Sequence, residues 1–449
     1  MFKKLTESIV HQMDPKGTLV PVPSFSGHEH FRPLCLVKRK RKTIFHLFPR
    51  YEQTGYRLNN VLLPGEDNKS IESLFPNGGD RDSSKFTLKK SSSDRVDGNL
   101  SVPVDCANAE VKGAASSSKA WSITLEKNHI PLPELNALQD KRKMDMNHTF
   151  IRQLKKAQHI LYVIHETIEA SEETSYEECT KATAGFMAQF YAKFSVKGTT
   201  AKKQSITIPK GCTLAFRAIQ LGITDESWYL DYFPYEARTM LVSDGSSQGK
   251  LGELEGELKA NCQILSTLSS DVLVVFLKAI KAAMRDRNLF QELTQKMEAV
   301  LHDTGGSELE TESPDLKDLL SSLQDSSRDL LLALAGAITY TLDALDELTE
   351  NQLLLLLEAL EEKIVPQWLK LVESILEHDI EDTTGPFSVD PTLLSFPQEK
   401  EQELTIALVE MSGVKLQKDG SVICTDNAFP AVAALYVSLY VLGLLSNSD

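Results

Sequence analysis

Apolar positions along this chain change their period twice. Residues 2 to 13 set Phe2, Leu5, Ile9 and Met13 at helical spacing with Lys3 and Lys4 off the stripe, which predicts a short amphipathic helix. From about 17 to 240 the dominant period is two: Leu100, Val102 and Val104 alternate with polar residues, as do Trp121, Ile123 and Leu125, and Ile160, Tyr162 and Ile164. Turn-rich sequence separates these segments, so this half predicts a twisted, mainly antiparallel sheet with a few helices. After 250 the period returns to that of helices. Asp325 followed by two serines opens one, Thr349 to Gln352 opens another ahead of the Leu353 to Leu357 run, and Pro366 and Pro391 punctuate the rest of the chain. The expected class is α+β, a sheet-rich first half followed by an all-α helical bundle.

The change of pattern falls in YFPYEARTMLVSDGSSQGK, residues 232 to 250, whose Gly/Ser-rich end reads as a linker. The implied division is a first domain over 1–234, a linker over 235–252 and a helical domain over 253–449. A second acidic loop spans 303–315, residues 78–98 form another Gly/Ser/Lys/Asp-rich stretch, and no internal repeat is evident.

Charge sharpens the division. The chain of 449 residues carries a net −15, but residues 1–244 hold 34 Lys+Arg against 28 Asp+Glu, net +6, and the remainder 14 against 35, net −21. Opposite signs favour association of the halves and direct the first toward anionic surfaces once it is alone; two ordinary domains of different pI would show the same split. Apolar and charged fractions of 41% and 25% exclude a largely disordered chain. The opening MFKKLTESIV lacks an apolar core after its lysines, so it does not read as a secretory signal, and a cytoplasmic location is expected. Six cysteines, Cys35, Cys106, Cys179, Cys212, Cys262 and Cys424, are scattered without a CxxC pair, against both a disulfide framework and a zinc module. The apolar stretch 431–445 would span roughly 22 Å as a helix, short of a ~30 Å hydrocarbon core, and reads as a buried helix.

Two segments can carry chemistry. Lys38, Arg39, Lys40, Arg41 and Lys42 abut Ile44, Phe45, Leu47 and Phe48, so a hairpin tip could hold cations at phosphate head groups while Phe45 and Phe48 enter the acyl boundary, with Lys3 and Lys4 adding charge. The same run also fits a nuclear-import signal, a nucleic-acid patch or a solvated hairpin. In FMAQFYAKFSV, residues 186–196, Phe186, Phe190 and Phe194 share one face of a strand about as long as a tilted membrane-spanning one; a half-buried strand or helix of a soluble domain fits equally. Glu172, Glu173, Glu177 and Glu178 read as a solvated loop. HEHF at 28–31 lacks HExxH spacing and Gly245 to Lys250 falls short of a P-loop, so no catalytic, metal or cofactor residues are assigned and an enzyme is not expected.

The stretches FRPLCLVKRKR (31–41), YRLNNVLLPG (56–65), ITIPKGCTLAFRAIQL (206–221) and AITYTLDALDELTENQLLLLLEALEEKIVP (337–366) resemble the gasdermin family, in order and over nearly the whole chain. The resemblance implies an autoinhibited pore former, in which a lipid-binding, oligomerising N-terminal domain is held by the helical C-terminal domain until a protease cuts the linker. Leu241, Val242, Ser243 and Asp244 followed by Gly245 resemble an inflammatory-caspase site, with Asp303 as the rival. It further implies hairpins over 84–125 and 160–210 that extend into a transmembrane β-barrel. An autoinhibitory contact falls at Tyr340 and Ala344. The implied partners are acidic phospholipids (phosphoinositides, phosphatidylserine, cardiolipin) and further copies of the chain, with no cofactor and no nucleic acid. The intact form is expected in the cytoplasm, and the cut form at the plasma membrane, where it causes pyroptotic lysis.

Overall fold

The computed structural model describes residues 2–15, 17–65, 85–90, 121–156, 159–178, 193–194, 204–224, 227–232, 249–302, 309–378, 380, 385–425 and 428–446. They gather into two compact units. The first takes its residues from 1–42, 48–185 and 202–244; the second takes Thr43–Leu47, Lys193, Phe194 and everything from 249 onward.

Strand-forming sequence in the first unit folds as α1 (Phe2–Met13), β1 (Val20–Pro21), β2 (Cys35–Arg39), β3 (Tyr51–Arg57), β4 (Phe86–Lys90) and β5 (Trp121–His129). Helices α2 (Leu132–Lys141) and α3 (Thr149–Lys156) precede β6 (Leu161–Ala170), β7 (Thr174–Glu178), β8 (Gln204–Ile208), β9 (Thr213–Ile223) and β10 (Trp228–Asp231). An eight-stranded antiparallel sheet runs β1-β9-β6-β2-β3, with β10 also on β9 and the β4–β5 hairpin joined to β6 through β5. β7 and β8 form a separate two-stranded ribbon. Glu177 and Glu178 therefore stand in a paired strand, which corrects the loop reading of that acidic run, while Glu172 and Glu173 are exposed as expected. Leu100, Val102 and Val104 lie outside the described residues.

Alternation of apolar residues tells only half of this sheet's burial. Val37, Tyr162, Ile164 and Phe216 meet the stripe of α1, where Phe2, Leu5 and Ile9 are buried. On the opposite face Leu36, Leu161, Val163 and Trp228 pack with Leu135, Leu138, Ile151 and Leu154 of α2 and α3. Two covered faces require a nearly continuous apolar run, and Leu161–Ile164 is buried at every position. Ile160, expected within that strand, precedes it and is 40% exposed.

The sheet also holds a buried charge. Glu166, beside a bulge in β6 and directly opposite Arg217 of β9, accepts from Arg217 Nη1 (2.8 Å) and pairs with Lys127 Nζ of β5 (3.0 Å). Arg217 Nη2 also reaches Asp14, just past α1 (2.5 Å). A buried carboxylate is tolerated only with such partners.

Helix signals after 249 are realised as α4 (Lys250–Cys262), α5 (Ser270–Arg285), α6 (Arg287–His302), α7 (Pro314–Gln324), α8 (Arg328–Glu347), α9 (Glu350–Glu361) and α10 (Val365–Leu376). Then come β11 (Phe387–Ser388), α11 (Glu399–Glu410), β12 (Val414–Leu416), β13 (Ser421–Cys424) and α12 (Phe429–Ser446). Helix α4 starts three residues inside the stretch read as linker. Thr349 caps α9 as its sequence predicts: Gln352 N donates to Thr349 Oγ1 (3.1 Å) and Thr349 N donates to Gln352 Oε1 (2.9 Å). Pro366 sits in the first turn of α10, where its missing N–H costs no helical bond. Helix α12 packs against α5, α8 and α10 and is buried on nearly all sides, so its length and apolarity, enough to cross a membrane, serve the core of this unit. The small sheet β11-β13-β12 belongs to the same unit.

Candidate interaction site on the helical unit

Strands β2 and β3 pair antiparallel from Cys35↔Arg57 to Arg39↔Tyr51, and Lys38 Nζ lies 3.3 Å from Glu52 Oε2 across the pair. The basic run thus ends β2 with Lys38 and Arg39 and continues into the connection with Lys40, Arg41 and Lys42, of which Arg41 and Lys42 are exposed. Lys3 and Lys4 are half-buried on α1.

Beyond Lys42 the chain enters the helical unit for five residues. Phe45 is 0% exposed there, its ring edge-on to Tyr340 of α8 at 5.4 Å between centroids. Ile44 N donates to the Glu257 carboxylate of α4 (3.2 and 3.3 Å). His46 Nδ1 lies 2.5 Å from Thr43 Oγ1 and Nε2 lies 3.4 Å from Glu347 Oε1. Tyr340 and Ala344, one helical turn apart, are both buried on α8. The two phenylalanines expected to enter an acyl boundary are both at least partly covered in this form of the chain. Phe45 is enclosed by the helical core, Phe48 is half-buried against the sheet core beneath α1, and Leu47 between them is the exposed residue at 48%. Burying a phenyl ring stabilises by roughly 2–3 kcal/mol, which accounts for an aromatic side chain staying out of water in this form of the chain.

A second short segment reaches the same unit. In this form of the chain Lys193 has helical backbone and Phe194 a turn; Phe186 and Phe190 lie outside the described residues. Phe194 packs into a core made almost wholly by helices, where Arg285 Cζ stands 5.6 Å from its ring centre. Lys193 Nζ bonds Glu358 Oε2 (2.5 Å) and Glu361 Oε2 (2.7 Å) of α9, and Glu358 Oε1 also accepts from Lys400 Nζ of α11 (2.8 Å). Burial pushes the Glu358 carboxyl up, but the hydrogen bonds from the two ammonium groups outweigh it and hold the carboxyl below its ordinary range.

Glu257, Glu347, Lys193 and Glu358 escape a reading of the sequence, because their partners are distant along the chain and charged residues at helical spacing look like an ordinary wet face. Leu241 to Asp244, Gly245 and Asp303 lie outside the described residues. Among the described residues no group of three or more His, Cys, Asp or Glu side chains is placed to hold a metal ion, and Cys35, Cys212, Cys262 and Cys424 are free thiols.

Residues 1–239 match the gasdermin pore forming domain and residues 250–423 the gasdermin PUB domain. Gasdermin-A of Mus musculus is 32% identical over 469 residues, and Gasdermin-A of Homo sapiens 31% over 466; each comparison covers 100% of both chains. A cryo-EM structure of the Gasdermin A3 membrane pore is 26% identical and covers 55% of this chain and 97% of that one, with a TM-score of 0.37.

Proposed function

The chain belongs to the gasdermin family and carries its pore-forming domain at residues 1–239; from that premise we propose that it is an autoinhibited pore former released by proteolysis. In the intact chain Phe45 is withheld from lipid by Tyr340 and its neighbours on α8. A cut after Asp244 removes the covalent tether, so a contact kept by high effective concentration becomes one between separate chains that can dissociate. Released residues 1–244 then present Lys3, Lys4 and Lys38 to Lys42 to acidic phospholipids, at about 1 kcal/mol per cation near an anionic leaflet before screening. Phe45 and Phe48 then enter the acyl boundary.

Membrane insertion requires assembly. An open sheet edge cannot face hydrocarbon, because each unpaired backbone group there costs several kcal/mol; only a closed barrel of strands from many copies satisfies all of them. Sequence 84–125 and 160–210, with Phe186, Phe190 and Phe194 on one face, supplies those strands. The outcome is permeabilisation of the plasma membrane and pyroptotic lysis, driven by apolar burial and charge attraction without a cofactor or an enzymatic step.

The observation that best supports this reading is the 0% exposure of Phe45, five residues from the centre of a five-cation run, inside the helical unit and against Tyr340. The test is incubation of the full chain with inflammatory caspases, followed by terminal sequencing and dye release from phosphoinositide or cardiolipin vesicles. New N-termini at Gly245 accompanied by release support it; a cut chain that leaves vesicles sealed overturns it.

A further inference from the structure

A cluster of six titratable side chains crosses the middle of the large sheet. Lys127 and His129 come from β5, His165 and Glu166 from β6, Arg217 from β9 and Asp14 from just past α1. The bulge in β6 sets Ile164 opposite Ala218 and Glu166 opposite Arg217, so His165 is the residue left without a partner on β9. Its carbonyl accepts from Ile130 N (2.8 Å), and its ring stands edge-on to that of His129 at 5.9 Å between centroids. Nδ1 of His165 is buried and has no hydrogen-bond partner. Lys127 and Arg217 both bond Glu166, and Arg217 also bonds Asp14, so two cations and two carboxylates balance while both histidines are neutral. A proton on either ring leaves the cluster with a net positive charge, and Glu166, the carboxylate next to His165 along β6, is already held by two cations.

We propose that this joint between β5 and β6 is an acid-sensitive latch of the pore-forming domain, closed while His165 is neutral and loosened when His165 takes up a proton. The bulge supplies the weak point, because the ladder to β9 is already interrupted at that residue. Burial pushes His165 from an ordinary 6.5 down to about 4; His129, Arg217 and Lys127 push the same way and Glu166 opposes them. An opened joint binds the proton at the ordinary value, so acid favours opening as the pH falls from 6.5, and the effect is complete below about 4. Glu169, farther along β6, acts in the opposite sense, since burial raises its carboxyl. The functional meaning rests on the release reading above: β5 begins within 84–125 and β6 lies within 160–210, the sequence that is to extend into the barrel, so a loosened joint quickens pore formation by the released domain under acid.

The latch is read in the intact, uncut chain, so it can fail or stand apart from the release reading. NMR of the chain labelled at histidine Cε1 follows each ring through a titration, and the His165 signal is the one missing from His165→Gln. A midpoint at about 4 is expected for it. Hydrogen exchange, corrected for the intrinsic rate, is followed in parallel on the peptides that carry β5 and β6. One proton per opening allows a loss of protection of at most about tenfold per pH unit, and the half-buried ring should give about three- to fivefold per unit between about pH 6.5 and 5. His165→Gln and His165→Phe should each remove this fall, and His129→Gln should keep it. A His165 midpoint at or above 6.5, equal protection at both ends of that range in the unaltered chain, or a fall that survives in both His165 variants overturns the proposal. The titration and the pH dependence of the unaltered chain stand whether or not the variants fold.

Discussion

Phe45 and Lys193 both come from the stretch matched by the pore-forming domain, and both end on the helical unit, yet they are held by opposite physics. The Phe45 ring is enclosed by apolar groups and an aromatic edge contact, which salt leaves unchanged, while its neighbours Ile44 and His46 meet Glu257 and Glu347. Lys193 is half in water and held by charge, which salt and acid weaken. Under the proposed release, the first contact would set how tightly the intact form is kept and the second would weaken with salt and acid.

The comparison is broken most forcefully at α8. Tyr340→Asp or Ala344→Asp puts an unpaired carboxylate where the side chain is now buried, at a cost on the order of 3–5 kcal/mol, and should let the uncut chain release dye from acidic vesicles. Circular dichroism of the same samples must show the helices intact, and sealed vesicles with intact helices would remove Tyr340 and Ala344 from the autoinhibitory contact. Phe45→Ala comes next. Truncating an enclosed ring costs about 3 kcal/mol, so hydrogen exchange in the peptide containing residues 43–47 should accelerate by the same factor at low and high salt.

Acid sharpens the contrast from the other side. The Glu358 carboxyl is held below its ordinary 4.5, so its contribution is complete above that value and is lost as the pH falls through the lowered one. Lys193 and Lys400 remain protonated throughout this range, and Glu361 and Glu362 border the same cluster. Protection around residues 193 and 194, corrected for the intrinsic exchange rate, should therefore fall as the pH drops through that lowered value, and Lys193→Gln should flatten the fall. The smallest effect is expected at Leu47, which is 48% exposed between the two more enclosed residues Phe45 and Phe48. Leu47→Ser should alter stability by no more than about 0.5 kcal/mol in a thermal melt.

The range of each contact along the chain decides whether residues alone reveal it. Local rules suffice for the Thr349 cap, for Pro366 in a first helical turn and for α12 as a buried helix, because each depends on neighbours within a few positions. Alternation at Tyr162 and Ile164 correctly marks one sheet face, but Leu161 and Val163 show that the opposite face is covered as well, by helices whose packing no strand pattern encodes. Phe45 looks like a membrane anchor because its flanking cations are visible in sequence, whereas the ring of Tyr340 that meets it comes from the far end of the chain. Lys193 has the pattern of the wet side of a strand; Glu358, 165 positions on, turns it into an ion pair with a buried carboxylate. Long-range pairing between charged residues leaves no period to detect.

The most direct test of release as the activating event avoids the identity of the natural protease. A recognition sequence for a site-specific protease is inserted between residues 241 and 248, and the full chain is mixed with vesicles containing phosphoinositide or cardiolipin before that protease is added. Dye retained until the cut and released after it is the expected course. Vesicles that stay sealed after complete cutting, or that leak equally before it, would contradict the claim that the helical unit restrains a pore-forming domain.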